Sequence, residues 1–231
     1  METWLVALIL IAASALGTGL IGYAMLRGRA KTEALKSFAA ERGLVFEEET
    51  GQGTRTIIRD PSEGWQFVTY RTESGPESSS RTVWSEFVDP RPTQESGLTV
   101  LGPSLPEKAA ARADTIMSMA GGMIGNVMIA NITKGMGDEA KTLAVVEGKS
   151  RPHEGLYLAT PGAEAGLTAI VGDAELQATR VAKNEMQQPI VLRGPDGLRV
   201  RVRHAVSDPQ EIERLVALGR HLTEKLLAEA P

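Results

Sequence analysis

The chain has 231 residues, a formal net charge of −4, 42% apolar residues and only 4% aromatic residues. This length suits one anchored domain of ordinary size or two small ones, with a core made mainly of aliphatic residues, Met and Ala. The absence of cysteine excludes disulfides, thiolate metal sites and a cysteine nucleophile. The acidic balance argues against a nucleic-acid partner, because proteins that bind nucleic acids usually carry a basic field.

An uncharged stretch of 24 residues, Thr3 to Leu26, predicts a single transmembrane helix. A helix of that length measures about 36 Å, which exceeds the hydrocarbon core of a bilayer. Gly17, Gly19 and Gly22 match the G-x-G-x-x-G spacing of a dinucleotide-binding loop, but the strand–turn–helix context of that loop is missing. Only Glu2 precedes the stretch, whereas a cleaved signal peptide begins with basic residues, so we predict an uncleaved anchor.

Basic residues follow this predicted helix and none precedes it. Arg27, Arg29 and Lys31 come directly after the apolar stretch and are candidates for binding anionic lipid headgroups. Because basic flanks stay in the cytoplasm, we expect the N-terminus outside and the rest of the chain inside. The Ala, Gly and Arg usage is typical of bacteria, which predicts the inner (cytoplasmic) membrane. Residues 1–31 are the predicted anchor, and residues 32–231 the cytoplasmic domain.

Small residues lie close to one face of the predicted transmembrane helix. Such a face lets a second helix approach closely, which predicts self-association or packing against another membrane protein. Gly and Ala are also common in membrane helices generally, so a purely compositional origin stays open. The candidate helix-packing residues are Ala12, Ala15, Gly19 and Gly22.

The first part of the cytoplasmic domain is predicted to be a helix followed by an antiparallel meander. In residues 32–42, Leu35, Phe38 and Ala39 line one apolar face, and Gly43 is a natural terminator. Segments rich in β-branched and aromatic residues then recur at hairpin-like spacing. These predicted strands are residues 44–48, 54–59, 65–72, 81–88 and 98–102.

Residues 106–136 are rich in Met, Gly and Ala and are predicted to form a helix that is buried or faces a partner. A methionine-filled core helix and a second membrane segment at 115–133 are the alternatives. The helix would join two possible subdomains, residues 32–105 and 140–231. Its candidate partner-surface residues are Ile116, Met119, Met123, Val127 and Met128.

The last part of the chain is predicted to contain three strands, a helix, a hairpin and a final helix. The strands are residues 142–148, 155–161 and 167–172, the first helix is 173–186, the hairpin is 189–204 and the final helix is 209–229. Asp196-Gly197 favours a tight turn in the hairpin. Leu198, Val200 and Val202 alternate there with arginines, which predicts one buried and one basic face.

Capping residues are predicted for both helices. Asp173 is the expected N-cap of the first helix, and Ser207 or Asp208 that of the final helix. Pro209 suits the first turn of the final helix, and Glu211 lies at the spacing of a capping box. The packing stripe of the final helix is Ile212, Leu215, Gly219, Leu222 and Leu226.

The basic face of the hairpin allows two interpretations. Together with the basic flank of the anchor it would bind anionic lipid, or its arginines would pair internally with glutamates. The arginines concerned are Arg193, Arg199, Arg201 and Arg203.

No motif identifies an active site. Gly148-Lys149-Ser150 matches the end of a phosphate-binding loop, but Leu143 stands where the first glycine is required. The three histidines, His153, His204 and His221, show no metal-ligand spacing, and a G-x-S-x-G elbow is absent. We therefore predict no catalytic residue, no cofactor and no metal.

These patterns together predict an α+β protein. A single N-terminal transmembrane helix is followed by a cytoplasmic domain of mostly antiparallel β-sheet packed against helices. The expected function is that of a non-enzymatic accessory or scaffold protein, which binds a membrane-protein partner through its transmembrane helix and its cytoplasmic domain. A membrane-tethered enzyme and a lipid-binding domain are the alternatives, and a deep polar pocket or a long apolar cavity would favour them.

Overall fold

The computed structural model describes residues 23, 26–51, 53–72, 83–104, 141–146, 154–183 and 187–229. These residues form three α-helices and nine β-strands. The helices are α1 (residues 26–41), α2 (Ala174–Val181) and α3 (Pro209–Ala228). The strands are β1 (Val45–Thr50), β2 (Thr54–Arg59), β3 (Gln66–Arg71), β4 (Val83–Asp89), β5 (Thr99–Leu101), β6 (Ala144–Val145), β7 (Tyr157–Ala159), β8 (Ile190–Gly194) and β9 (Gly197–Val202).

All of these strands lie in one sheet, in the order β1-β2-β3-β4-β9-β8-β5-β7-β6. Every neighbouring pair is antiparallel, which confirms an α+β protein with a large antiparallel sheet. Strands β1 to β4 form an antiparallel meander as predicted, but the fifth strand predicted for it, residues 98–102, corresponds to β5 and does not pair with β4. The β8–β9 hairpin then pairs with β4, and β5 lies between β8 and β7, so strands from residues 32–105 and from residues 140–231 share this sheet.

One face of the sheet packs against the helices. A row of directly paired apolar side chains crosses the strands on this face: Ile58, Phe67, Phe87, Val200, Val191, Leu101 and Tyr157. The predicted stripe of α3 is buried against it, as is the predicted face of α1. Burial of these apolar side chains is the main stabilising term of the domain.

The opposite face carries a second apolar cluster at the β5–β8 end. Its buried members are Leu98, Val100, Leu143, Leu156, Leu158, Ile190 and Leu192. The sheet is therefore buried on both faces there. Strand β8 reflects this, because its apolar residues Ile190, Val191 and Leu192 form a continuous run instead of alternating with polar residues.

The predicted end of α1 is confirmed at Gly43. This glycine has a φ of 68°, a backbone conformation that residues with a Cβ atom rarely adopt. The N–H of Leu44 donates to the carbonyl of Ala39 at 2.8 Å, and that of Gly43 donates to Ala40 at 3.2 Å. This is a Schellman motif, and it turns the chain from α1 directly into β1.

The N-caps are confirmed, but the predicted capping box is wrong. Asp173 accepts hydrogen bonds from two backbone N–H groups of α2, and Asp208 accepts one from α3, which begins at Pro209. The Glu211 carboxylate does not accept a hydrogen bond from the backbone N–H groups at the start of its own helix in the described chain. It accepts a hydrogen bond from Lys183 at 2.7 Å, because the ammonium group offers a charged partner, and it also lies 3.3 Å from Nε2 of His204.

The strand predicted at residues 167–172 is wrong. Thr168–Ile170 is a short 3-10 helix, closed by local bonds such as Ile170 N–H to the carbonyl of Leu167. Leu167 and Ile170 are nevertheless completely buried. A buried turn and a buried strand both contain a run of apolar residues, so hydrophobicity alone does not distinguish a turn from a strand at this segment.

Other boundaries differ from the prediction. Only Ala144–Val145 is a strand within 142–148, of which residues 147 and 148 are not described. Helix α2 ends at Val181, five residues before the predicted end, with residues 184–186 outside the described chain. Of the transmembrane helix predicted from Thr3 to Leu26, only residues 23 and 26 are described, and the helix predicted at 106–136 lies outside the described residues. None of the helices that the structure describes is long and apolar enough to span a membrane.

The predicted β8–β9 hairpin is confirmed, with Pro195 and Asp196 as its loop. Gly197 opens β9 with a φ of 102°. A Cβ at this position would lie 2.1 Å from the carbonyl oxygen of Asp89. Glycine is therefore required both by the backbone conformation and by the close approach of the end of β4.

Gly219→Ala is expected to destabilise the protein, although alanine normally favours a helix. A Cβ at Gly219 would lie 2.2 Å from Cδ1 of Phe87, a fully buried ring on β4. We expect urea unfolding in detergent to show a loss of about 2 kcal/mol from this overpacking. The control is Gly28→Ala, because a Cβ at that helical position meets no atom within 4 Å. Equal stability of both variants would show that α3 is not closely packed against Phe87 at Gly219.

Candidate functional site

The start of α1 stands away from the rest of the described domain. No residue of this helix before Leu35 is buried, and Tyr23 and Leu26 are 63% and 67% exposed. The nine residues from 26 to 34 correspond to about 13 Å of helix. Two large apolar side chains are therefore exposed at the N-terminal end of the described part of the chain.

The three predicted headgroup-binding residues lie on this projecting segment. Arg27, Arg29 and Lys31 are all exposed, and none of them forms an ion pair with another residue in the described ranges. The candidate residues Ala12, Ala15, Gly19 and Gly22 lie outside the described chain, as do Ile116, Met119, Met123, Val127 and Met128.

The predicted arginine face of the hairpin is largely paired within the protein. Arg201 is buried and donates from Nε to Oε2 of Glu86 at 2.9 Å, and its Nη2 lies 2.7 Å from the same oxygen. Arg199 lies 3.5 Å from the other carboxylate oxygen of Glu86. The glutamate-pairing interpretation is confirmed for these two residues, and burial prevents Arg201 from reaching a lipid surface.

Arg193 has a different set of partners. Its guanidinium donates to three backbone carbonyl oxygens, those of Pro92 at 2.9 Å, Thr93 at 2.8 Å and Gly166 at 2.7 Å. Burial lowers the pKa of Arg193 from its usual value. This side chain therefore connects β8 to two loops by hydrogen bonds, one that contains Pro92 and Thr93 and one that contains Gly166. It is not part of a continuous basic surface.

Aromatic side chains extend the Glu86–Arg201 pair across the sheet. The Arg201 guanidinium lies 5.2 Å from the ring centre of Trp84, whose ring is 4.7 Å from that of Tyr70. Arg55 lies 5.2 Å from the Tyr70 ring. Two neighbouring rings on β4 and β3 thus lie between two cations on β9 and β2, at distances that favour cation–π attraction. The sequence prediction missed Glu86, although an acidic residue inside an apolar strand was the available signal.

Asp173 is the most strongly perturbed carboxyl group described. Its Oδ2 lies 3.0 Å from Nε2 of His221 and 2.9 Å from Nζ of Lys225, both on α3. Burial by itself raises the pKa of Asp173, but the N–H of Leu176, Lys225 and His221 outweigh burial and lower it to about 2. A carboxylate that stays ionised in this way joins α2 to α3 and cannot act as a general acid near neutral pH.

Both described histidines contact carboxylates, His221 at Asp173 and His204 at Glu211. Burial raises the pKa of Glu211, yet the hydrogen bond and charge of Lys183 and the proximity of His204 lower it overall. Within the residues that the structure describes, no group of three or more His, Asp or Glu side chains could hold a metal ion.

A pocket of about 280 Å³ lies between α1, α3 and the sheet, and we call it the α1–α3 pocket. Its apolar walls are Phe38, Leu44, Ile58, Trp65, Ile212 and Val216. Arg42 forms an ion pair with Glu213, and Arg220 forms one with Glu63 at 2.6 Å. The pocket is thus an apolar cleft with paired charges at its mouth, beside the helix that leads to the predicted anchor.

Trp65 was not singled out by the sequence prediction. Its ring packs 5.8 Å from the ring of Phe87, and the residue is 4% exposed. The indole nitrogen is buried without a hydrogen-bond partner in the described part of the chain. From the sequence, a tryptophan that follows a turn is expected to be a core residue. The pocket beside it exists because α1 and α3 pack around it, which the sequence does not predict.

Comparison with known proteins does not assign the domain to a family. No family model matches the chain, and no curated protein or solved structure is similar to it. The geometry defines an α+β domain with a nine-strand antiparallel sheet in its described residues, a projecting basic helix and a small apolar pocket. The function is therefore argued from these features.

Proposed function

We propose that this chain is a membrane-anchored, non-enzymatic accessory or scaffold protein of the bacterial inner membrane. The observation that carries the proposal is the projecting start of α1. Exposed Tyr23 and Leu26 are followed there by exposed Arg27, Arg29 and Lys31, which form no ion pair within the described residues, and the uncharged stretch from Thr3 precedes them. Aromatic residues and then basic residues mark the cytoplasmic boundary of membrane helices.

Under this proposal the N-terminal helix has two tasks. It holds the domain at the membrane, and its small-residue face packs against a helix of a membrane-protein partner or of a second copy. The domain then presents its surface within about 20 Å of the headgroups, because the projecting part of α1 is short.

Membrane topology is tested first, and the natural absence of cysteine makes this direct. Single cysteines are introduced as Glu2→Cys and Val181→Cys, the latter at a side chain that is 86% exposed. In intact spheroplasts a membrane-impermeant maleimide is expected to label the first variant and to spare the second until the cells are lysed. Labelling of both variants, or release of the protein by alkaline carbonate, would refute the anchor and its orientation.

The partner is tested by co-purification in mild detergent of the tagged full-length protein. Gly19→Leu with Gly22→Leu fills the small-residue face and is expected to remove a stoichiometric partner. The matched control is Gly17→Leu with Ala24→Leu, because positions 17 and 24 fall on the opposite side of a helix that turns 100° per residue. Loss of the partner in both variants, or in neither, would reject this face as the contact.

A further inference from the structure

Strand β1 forms an open edge of the sheet. It is the first strand in the sheet order and pairs with β2 alone among the strands that the structure describes. Four of its six residues are exposed, among them the apolar Val45. Every second residue of an edge strand directs its backbone N–H and C=O groups away from its single neighbour. These groups are therefore placed to pair with a further strand.

The backbone of this edge is regular. β1 contains no proline, and each of its residues faces one residue of β2, from Val45 opposite Arg59 to Thr50 opposite Thr54, so no bulge interrupts the strand. Its six residues match the usual length of a strand. Natural sheet edges are commonly protected by proline, by a bulge or by charge, and β1 carries only charge.

The charge comes from three consecutive glutamates, Glu47, Glu48 and Glu49. Because side chains alternate along a strand, Glu47 and Glu49 lie on one face and Glu48 on the other. Oε2 of Glu47 lies 3.6 Å from Arg59, and both side chains are more than 40% exposed. Oε2 of Glu49 lies 3.3 Å from Arg55. Each contact uses one oxygen of a carboxylate, which accepts several donors, so both glutamates can face a second cation across the open edge.

The glutamates determine which strand fits this edge. Two copies of β1 would bring their glutamates together in a parallel or an antiparallel arrangement, and like charges on opposed strands are destabilising. A strand with Lys or Arg opposite Glu47, Glu48 and Glu49 would instead form cross-strand ion pairs. The edge therefore disfavours a second copy of this chain and favours a basic strand.

A membrane-protein partner would offer a basic strand close to β1. Cytoplasmic segments next to membrane helices carry an excess of Lys and Arg. The chain passes from α1 through Gly43 into β1, and residues 26–41 of α1 correspond to about 24 Å of helix. An extended segment of about ten residues measures about 33 Å, so it would reach β1 from the membrane surface.

We propose that the open edge of β1 binds an extended, basic cytoplasmic segment of the membrane-protein partner as an additional strand. Backbone hydrogen bonds would supply the affinity, and Glu47, Glu48 and Glu49 would select Lys or Arg. The choice of a membrane-protein partner rests on the proposed function, whereas the open edge does not. Maleimide labelling tests the anchor and peptide binding tests the edge, so the failure of one is distinguishable from the failure of the other.

Three synthetic peptides serve as probes. The first is acetyl-Thr-Val-Lys-Arg-Lys-Val-Thr-amide. The second has the same side chains but carries N-methyl groups on Arg and on the following Lys, which keeps the charge and removes one strand hydrogen-bond donor from each edge of the peptide. The third has Glu in place of Lys and Arg. Each is titrated by calorimetry into the full chain in phosphatidylcholine nanodiscs, whose zwitterionic lipid does not attract a basic peptide.

We expect the first peptide to bind with a Kd on the order of 100 μM or tighter. The N-methylated peptide should bind at least about tenfold more weakly, because it forms fewer backbone hydrogen bonds, and the acidic peptide should not bind. Equal binding of the first two peptides would show that charge attraction acts without strand addition. That result, or no binding of the first peptide, would overturn the proposal.

Backbone amide hydrogen exchange locates the bound peptide. A saturating amount of the first peptide should slow exchange in β1 and leave the β8–β9 hairpin unchanged, because an added strand protects the N–H groups that face away from β2. Slower exchange elsewhere without a change in β1 would place the peptide on another surface and reject the edge.

A variant without the three charges tests the selection for a basic strand. Glu47→Gln, Glu48→Gln and Glu49→Gln together should weaken binding of the first peptide about tenfold, because three cross-strand ion pairs are lost. The matched control changes three exposed glutamates away from β1 instead: Glu95→Gln, Glu224→Gln and Glu229→Gln. This control should bind within about twofold of the natural protein. Equal weakening of both variants would assign the effect to net charge and overturn the role of the edge.

Discussion

Replacing Glu86 by Gln is expected to lower the free energy of unfolding by about 3 kcal/mol, measured by urea unfolding in detergent. Glu86 and Arg201 are 1% and 3% exposed and lie directly opposite each other on β4 and β9. The neutral amide removes the carboxylate charge that lies against the buried Arg201 guanidinium, and the loss of this charge–charge attraction in a buried site is the source of the cost.

The matched control is Glu47→Gln on the exposed edge of the sheet. Glu47 lies 3.6 Å from Arg59, and both side chains are more than 40% exposed, so solvent screens the pair and little stability should be lost. The double variant Glu86→Leu with Arg201→Met should lose less stability than the sum of its single changes. Additive losses, or a mild effect of Glu86→Gln, would show that the pair does not stabilise the β4–β9 junction.

Replacing Arg180 by Met is expected to cost about 4 kcal/mol, because several buried carbonyl groups lose their donor together. Arg180 is 1% exposed and donates to the carbonyls of Gly102 at 2.7 Å and Leu101 at 3.2 Å, and also to that of Glu154. These contacts join α2 to the end of β5 and to the loop before β7. Burial lowers the pKa of Arg180 to about 10, so the group remains charged near neutral pH.

Arg180→Lys distinguishes geometry from charge. An ammonium group keeps the charge but cannot reproduce the planar fork that reaches several carbonyls at once, so we expect a loss of about 2 kcal/mol. The control is Arg214→Met at an exposed position of α3, where, within the described residues, the side chain donates to the carbonyl of Gln210, four residues earlier in its own helix. A lysine variant as stable as the natural protein would mean that charge alone is required.

Elements with a local cause were predicted well from the sequence. The buried stripe of α3 follows from its 3.6-residue period, and the N-caps Asp173 and Asp208 follow from side chains that bind the nearest free N–H groups. The end of α1 at Gly43 follows from the left-handed conformation that glycine adopts without strain. In each case the interacting groups are within a few residues of each other.

The bounds of β6 and the 3-10 helix at 168–170 were not predicted correctly, because a short apolar run is compatible with several buried conformations. Similarly, Glu211 was assigned to its own helix N-terminus, yet Lys183, which is 28 residues away in the sequence, provides a stronger partner. Tertiary proximity outweighed the local motif at this site.

The sequence by itself determined the uncharged N-terminal stretch with its basic flank, the α+β class, the first four strands of the antiparallel meander and the C-terminal hairpin and helix. Periodicity, turn residues and charge act locally, so they can be read along the chain. Only the tertiary structure decided the rest. It placed β9 beside β4, so that Arg201 meets Glu86 across 115 positions, and it closed α1 and α3 over Trp65. Burial between distant segments, which no local pattern encodes, is the physical reason.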